Sequence, residues 1–273
     1  MKARDELLSR ERESLLGVAL EDLRQDAEVS GVYLAGSLAK GNHDLYSDID
    51  LHIVVAPGLL GRFVECKRER AARWGPVLFY EDDNPELPVT VVTYETFVKV
   101  DAWYHQPDDL QTSLWLCGCR TLYDPTGIIQ PIIDDSEKLV YQLTQDEVEL
   151  WRGKVFAYMH ETYRSVMRGE LFAASSMLDS LRWQMARGWH MELGKRMDCG
   201  KGVWSKVEGS RSPLSQSQGT LLRSWYCHLD KDGITRVLRD LAPEFLKLNR
   251  SLCSITGTDE KREWCQRIIN KVL

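Results

Sequence analysis

Asp48, Ile49 and Asp50 set the chemistry that this sequence can do. On an extended strand, residues i and i+2 share a face, so the two carboxylates point the same way while Ile49, Leu51 and Ile53 point into a core. Carboxylates side by side repel each other unless a cation sits between them. A hard divalent ion meets that need, and Mg²⁺ typically takes one or two carboxylates together with substrate phosphates. Upstream, Gly36-Ser37 ends an apolar run and opens a short turn or helix. A glycine there lets backbone N–H groups come close to a phosphate, and the serine adds a hydroxyl. A third acid, Asp101, falls in the β-like run 96–104, in which Phe97 and Val98 mark a strand interior. An acid in such a run is costly without a partner.

The elements that must position these residues can be read from periodicity. Leucines and alanines recur at helical spacing over residues 4–28, and Ser30-Gly31 ends the pattern. Residues 32–35 read as a short buried strand, and Asp48 opens another that runs to Val55 and is closed by Pro57-Gly58. Residues 59–74 predict a helix. Strands are expected at 77–80, 89–93 and 96–104, with a short one at 121–123 and a helical stretch from Pro125. Thr144 followed by Glu147 has capping-box form and starts a long helical region to about 196, broken near Arg168-Gly169-Glu170. Residues 198–219 are rich in Gly, Ser and Lys and read as a loop. Further helices are expected over 220–253 and 258–272. The chain therefore predicts an α+β protein: a mixed β-sheet domain with helices over 1–140, then an all-α helical bundle over 141–273.

Composition supports this division. At 273 residues the chain is about twice the usual domain size. Hydrophobic residues make up 43% and charged residues 28%, ordinary globular values that exclude a largely disordered or collagen-like chain. No run approaches about 18 uninterrupted apolar residues, and the charged N-terminus has no apolar signal core, so a soluble, cytoplasmic protein is expected without membrane partners. Net charge is −6 overall, but residues 1–140 carry 25 acidic and 14 basic residues, and residues 141–273 carry 16 and 21. The acidic first half argues against a nucleic-acid groove there and favours a metal or cationic ligand; domains with complementary faces would show the same split. The seven cysteines contain no C-x-x-C pair, so reduced structural thiols are expected rather than a zinc site.

Taken together, Gly36-Ser37, then ten residues, then Asp48-x-Asp50 opening an apolar strand, then the lone acid Asp101 on a later strand, resembles the DNA polymerase β-like nucleotidyltransferases. Chain length and the helical second half resemble the aminoglycoside and lincosamide nucleotidyltransferases. The resemblance implies Mg²⁺-dependent transfer of a nucleoside monophosphate, AMP from ATP, to a hydroxyl of a small molecule, an aminoglycoside or lincosamide antibiotic. It implies two Mg²⁺ ions between Asp48, Asp50 and the triphosphate, with Asp101 holding the catalytic metal and orienting or deprotonating the acceptor. The hydroxyl attacks the α-phosphorus in line and pyrophosphate leaves. It also implies nucleotide contacts from Gly36 and Ser37 and, in the helical domain, from Lys206 in the loop 200–206 and Arg182. That domain would close over the site. The alternatives are a nucleotidyltransferase that modifies a macromolecule, tRNA or protein, and a non-catalytic nucleotide sensor. A monomer or a homodimer is expected.

Other residues have plainer readings. Trp103, Tyr104 and His105 are candidate acceptor-binding residues, since aromatic and acidic groups suit a polycation with apolar ring faces. The run 81–85, with Glu81, Asp82 and Asp83, also reads as an exposed loop. Lys40 reads as a surface lysine or a phosphate contact, Ser47 as a chain turn, and His52 as a packed histidine or a neighbour of the metal site. Asp179 and Arg182 stand at i, i+3, the spacing of an ordinary helix-surface pair. Trp183, Trp189, Trp204 and Trp225 read as core or interface residues, and 123–127 as a strand-to-helix turn.

Overall fold

The computed structural model describes residues 3–82, 84–197 and 199–273; Asp83 of the acidic loop and Asp198 at the start of the predicted loop lie outside the described residues. The chain divides into two compact units, Met1–Val140 and Tyr141–Leu273.

In the first unit a 3₁₀ turn, Ala3–Leu7, leads into α1 (Leu8–Gln25), followed by β1 (Val29–Leu34), α2 (Gly36–Lys40) and β2 (Ile49–Val55). Then come α3 (Leu60–Glu65), α4 (Lys67–Trp74), β3 (Val77–Tyr80), β4 (Val89–Tyr94), β5 (Lys99–His105), β6 (Arg120–Tyr123) and α5 (Gln130–Ser136). The six strands form one mixed sheet in the order β3-β4-β5-β2-β1-β6. Among the described residues only the central pair β2 and β5 is parallel, with Asp50 opposite Asp101; the other pairings are antiparallel.

Two side-chain layers cover the central strands. Ile49, Leu51, Ile53 and Val55 pack with Leu15, Ala19 and Leu23 of α1 and with Phe63, Ala71 and Trp74 on one face. Val54 and Tyr33 pack with Leu110, Leu116, Ile129 and Ile133 on the other. That two-sided burial explains why β2 reads as a nearly continuous apolar run after Asp50.

Two predicted elements differ. The helix expected over 59–74 is two helices that meet at Cys66, whose ψ of 7° leaves the helical range. Each half serves a different neighbour: Phe63 packs against the Tyr104 ring, whereas Trp74 donates a 3.0 Å hydrogen bond to Asp22 of α1. The strand expected from residue 96 starts at Lys99, because β4 and β5 are antiparallel neighbours and the chain must reverse between them. Phe97 is part of that reversal, at φ 67° and half exposed, with the Arg4 guanidinium 3.8 Å above its ring. Its apolarity suggested a strand interior that it does not occupy.

The second unit consists of α6 (Gln145–Met167), α7 (Leu171–Glu192), α8 (Gln216–Ser224), α9 (Lys231–Thr256) and α10 (Arg262–Val272), with a 3₁₀ turn at Trp204–Lys206. Thr144 and Glu147 form the expected capping box. Gly169, at φ 74°, takes the left-handed conformation that separates α6 from α7. Trp151, Trp183, Trp189 and Trp225 are buried in one helical core. Among the described residues no helix is long and apolar enough to cross a membrane.

Candidate active site

The parallel pairing of β2 and β5 builds the site. Asp50 and Asp101 stand in register on adjacent strands, and Asp48 lies two residues before Asp50 on the same face. One carboxylate oxygen from each of Asp48, Asp50 and Asp101 can be chosen so that all three lie within 4.8 Å of one another. All three residues are half-buried.

Gly36 roofs this cluster. Its φ of 64° is in the left-handed region, and a Cβ at that position would lie 1.8 Å from Asp50 Oδ2. Conformation and space therefore both require glycine. The Ala35 N–H donates to the Asp50 carbonyl at 3.0 Å, which ties the start of α2 to β2, and Ser37 is buried beside it.

Asp48 is delivered by a turn that Arg12 holds. The guanidinium of Arg12, buried in α1, donates to the carbonyls of Asp44, Leu45 and Ser47 at 2.9–3.2 Å. Ser47 Oγ accepts from the Asp44 N–H at 2.9 Å, so Ser47 turns the chain into the strand. Nothing in the local sequence marks Arg12, since its partners are more than 30 residues away.

A second residue that sequence reasoning missed lies against two of the three carboxylates. Lys99 Nζ is 3.1 Å from Asp48 Oδ2 and 3.0 Å from Asp101 Oδ1, and it donates to Asp101 Oδ2 at 3.2 Å. Burial works against the Lys99 charge, but Asp101 and Asp48 outweigh it and its pKa stands above the usual lysine value. Burial lifts Asp101 above the ordinary carboxylate range, although Lys99 pulls the other way. Asp101 Oδ1 is buried, with the Lys99 ammonium 3.0 Å away as its ionic partner. A set of three hard oxygen donors converging within 4.8 Å of one another fits a divalent cation.

The remaining predicted residues separate by strand parity. Trp103 and His105 share the face of Asp101, and Trp103 is partly exposed. Tyr104 points to the opposite face, is fully buried against Phe63, and offers no surface to an acceptor. Its assignment to acceptor binding is therefore corrected: alternation along β5 sends it into the core. His52 is a packed histidine. Its Nδ1 is 2.8 Å from His105 Nε2, its ring stacks on Tyr33 at 4.8 Å, and Trp115 meets it edge-on at 4.9 Å. Burial, with His105 adding to it, pushes His52 down to about 3.

Within the helical unit, Arg182 is engaged by the Trp225 carbonyl, with Asp179 3.8 Å away. Asp179 also accepts from the Trp204 indole at 3.2 Å. Lys206 is exposed in its 3₁₀ turn, and Lys201 of the same loop donates to Ser180 Oγ at 3.1 Å. Asp82 accepts from Arg68 and from the Val91 N–H, so this part of the acidic loop is tied down. Asp124 caps the turn after β6 by accepting from the N–H groups of Ile128, Ile129 and Gln130.

Residues 17–115, which contain Gly36, Ser37 and all three aspartates, match the nucleotidyltransferase domain family. Residues 17–115 carry a nucleotidyltransferase domain. Solved structures similar to this chain include an aminoglycoside 6-adenyltransferase from Bacillus subtilis, at 14% identity and a TM-score of 0.45, covering 100% of this chain and 99% of that one. Another is a nucleotidyltransferase-like protein from Exiguobacterium sibiricum, at 12% identity and a TM-score of 0.38, covering 87% and 78%. No curated protein matches the sequence.

Proposed function

We propose that this nucleotidyltransferase moves AMP from ATP to a hydroxyl of a small polycationic molecule, an aminoglycoside, and releases pyrophosphate. The observation that carries the reading is the convergence of Asp48, Asp50 and Asp101 from two parallel strands beneath Gly36. Asp48, Asp50 and Asp101 would hold Mg²⁺, which when bound supplies positive charge to the α-phosphate and to the entering and leaving oxygens.

The chain's own groups have distinct roles in this reading. Gly36 leaves the approach to Asp50 free of a side chain, so the triphosphate can come close to backbone. Ser37 adds a hydroxyl beside it. Asp101, on the strand beside Asp50, is the group that would orient the acceptor hydroxyl or take its proton as the hydroxyl oxygen bonds to the α-phosphorus. The bond to the bridging oxygen breaks, and its electron pair leaves with pyrophosphate. Lys206 and Arg182 of the helical unit are assigned to the nucleotide, and residues 1–140 and 141–273 to catalytic and nucleotide-closing roles.

The acceptor class follows from charge. Residues 1–140 are strongly acidic, and Trp103 and His105 share the face of the triad, an arrangement suited to amines and sugar-ring faces. A panel test decides it: purified protein with Mg²⁺, ATP or GTP labelled at the α-phosphate, and aminoglycosides, lincosamides, tRNA or bulk protein as acceptors. Label on an aminoglycoside from ATP is expected. Label on a lincosamide, or from GTP, would correct the acceptor or the nucleotide. Label on tRNA or protein alone, or binding without turnover, would overturn the proposal.

A further inference from the structure

Lys99 reaches the carboxylates assigned to the cation. Its ammonium is 3.0–3.1 Å from oxygens of Asp48 and Asp101, two of the three carboxylates of the group. An ammonium and a divalent ion cannot both bond these oxygens at close range, because the charges repel and each oxygen has few lone pairs to share. The stem of Lys99 is not locked in the core. Its side chain is about a third exposed and forms part of the wall of a cavity of about 590 Å³, together with Tyr46, Asp48 and Phe97. That cavity gives the side chain room to withdraw.

We propose that Lys99 is a built-in counter-cation of the carboxylate triad: its ammonium occupies the metal position and must withdraw when a divalent ion binds. Lys99 thereby holds like-charged side chains together and sets a threshold for metal loading. It is a positioning residue. Its competition with the metal makes it an affinity-lowering one, in contrast to the three aspartates. The inference rests on the reading of the triad as a metal site.

Mn²⁺ binding, followed by the loss of free-ion electron paramagnetic resonance signal, tests it without turnover. Lys99→Met should bind Mn²⁺ about tenfold or more tightly than the natural chain, because a positive charge at contact distance is removed. Lys99→Arg, which keeps the charge, should stay within about threefold of the natural chain. Unchanged or weaker Mn²⁺ binding by Lys99→Met would overturn the proposal. In that case, loss of binding in Asp48→Asn would leave the triad reading standing. Absence of Mn²⁺ binding in the natural chain would overturn both.

A measurement on the natural chain does not depend on the variants' folding. Acetic anhydride labelling read by mass spectrometry should modify Lys99 faster when Mn²⁺ is added, with exposed Lys138 as the internal reference. Equal or slower labelling of Lys99 would contradict the displacement.

Discussion

Along one face of β2 and β5, the chain changes from an ionic patch to an aromatic one within two residues. At one end Asp48, Asp50 and Asp101 converge, and the Lys99 ammonium pairs with Asp48 and Asp101. At the other, His52 and His105 share one hydrogen bond, stacked with Tyr33 and capped edge-on by Trp115. Both ends hold ionisable groups on the same strands and in the same register. They differ in what covers them. Gly36 keeps side-chain atoms away from the carboxylates, whereas Tyr33 and Trp115 close over the His52 imidazole. The same strand geometry thus makes a reactive surface at one end and a packing layer at the other.

The largest expected effect separates the two ends. Asp50→Asn or Asp101→Asn should lower nucleotidyl transfer by about a thousandfold or more, with thermal unfolding showing a folded protein. His52→Phe should keep transfer within about tenfold, since a planar ring can still stack there. Equal losses from both substitutions would erase the distinction. Gly36→Ala tests the cover itself. The added methyl collides with Asp50 and is held at a left-handed φ, so about 1–3 kcal/mol of strain and a large fall in transfer are expected from unfolding and turnover measurements.

Much of the ionic end is legible because its parts are local. Gly36-Ser37 and Asp48-x-Asp50 occupy fifteen consecutive positions, and a period of two is enough to align the aspartates. Asp101 is legible as an acid in an apolar run. Lys99 is not, because a lysine in an alternating strand reads as solvent-facing until the pairing of Asp50 with Asp101 brings it against Asp48. Tyr104 fails for the opposite reason: strand parity already places it on the face away from Asp101, and a list of neighbouring aromatics ignores parity. Phe97 shows the limit of apolarity as a strand signal, since the reversal between β4 and β5 overrides it. The role of Arg12 depends on contacts more than 30 residues away, which no local pattern carries.

Smaller effects sharpen the comparison. Arg12→Met removes the donors that hold three carbonyls before Asp48, and should cost about 2–3 kcal/mol in denaturant unfolding. The histidine end should appear in the pH dependence of stability. His52 has a folded pKa of about 3, below its unfolded value, so the unfolded chain takes up the proton first as pH falls. Its contribution is complete above about pH 6.5 and is lost on acidification toward the folded value, with a slope of up to about 1.4 kcal/mol per pH unit. His52→Phe should flatten that part of the curve; an unchanged curve would show that His52 is not held neutral.

The most direct measurement is anomalous diffraction from crystals of the protein soaked with Mn²⁺ and a non-hydrolysable ATP analogue. The account predicts an anomalous peak bonded to oxygens of Asp48, Asp50 and Asp101, with the Lys99 ammonium moved away from Asp48 and Asp101. Nucleotide bound with no Mn²⁺ at those carboxylates, and Lys99 still between them, would contradict it.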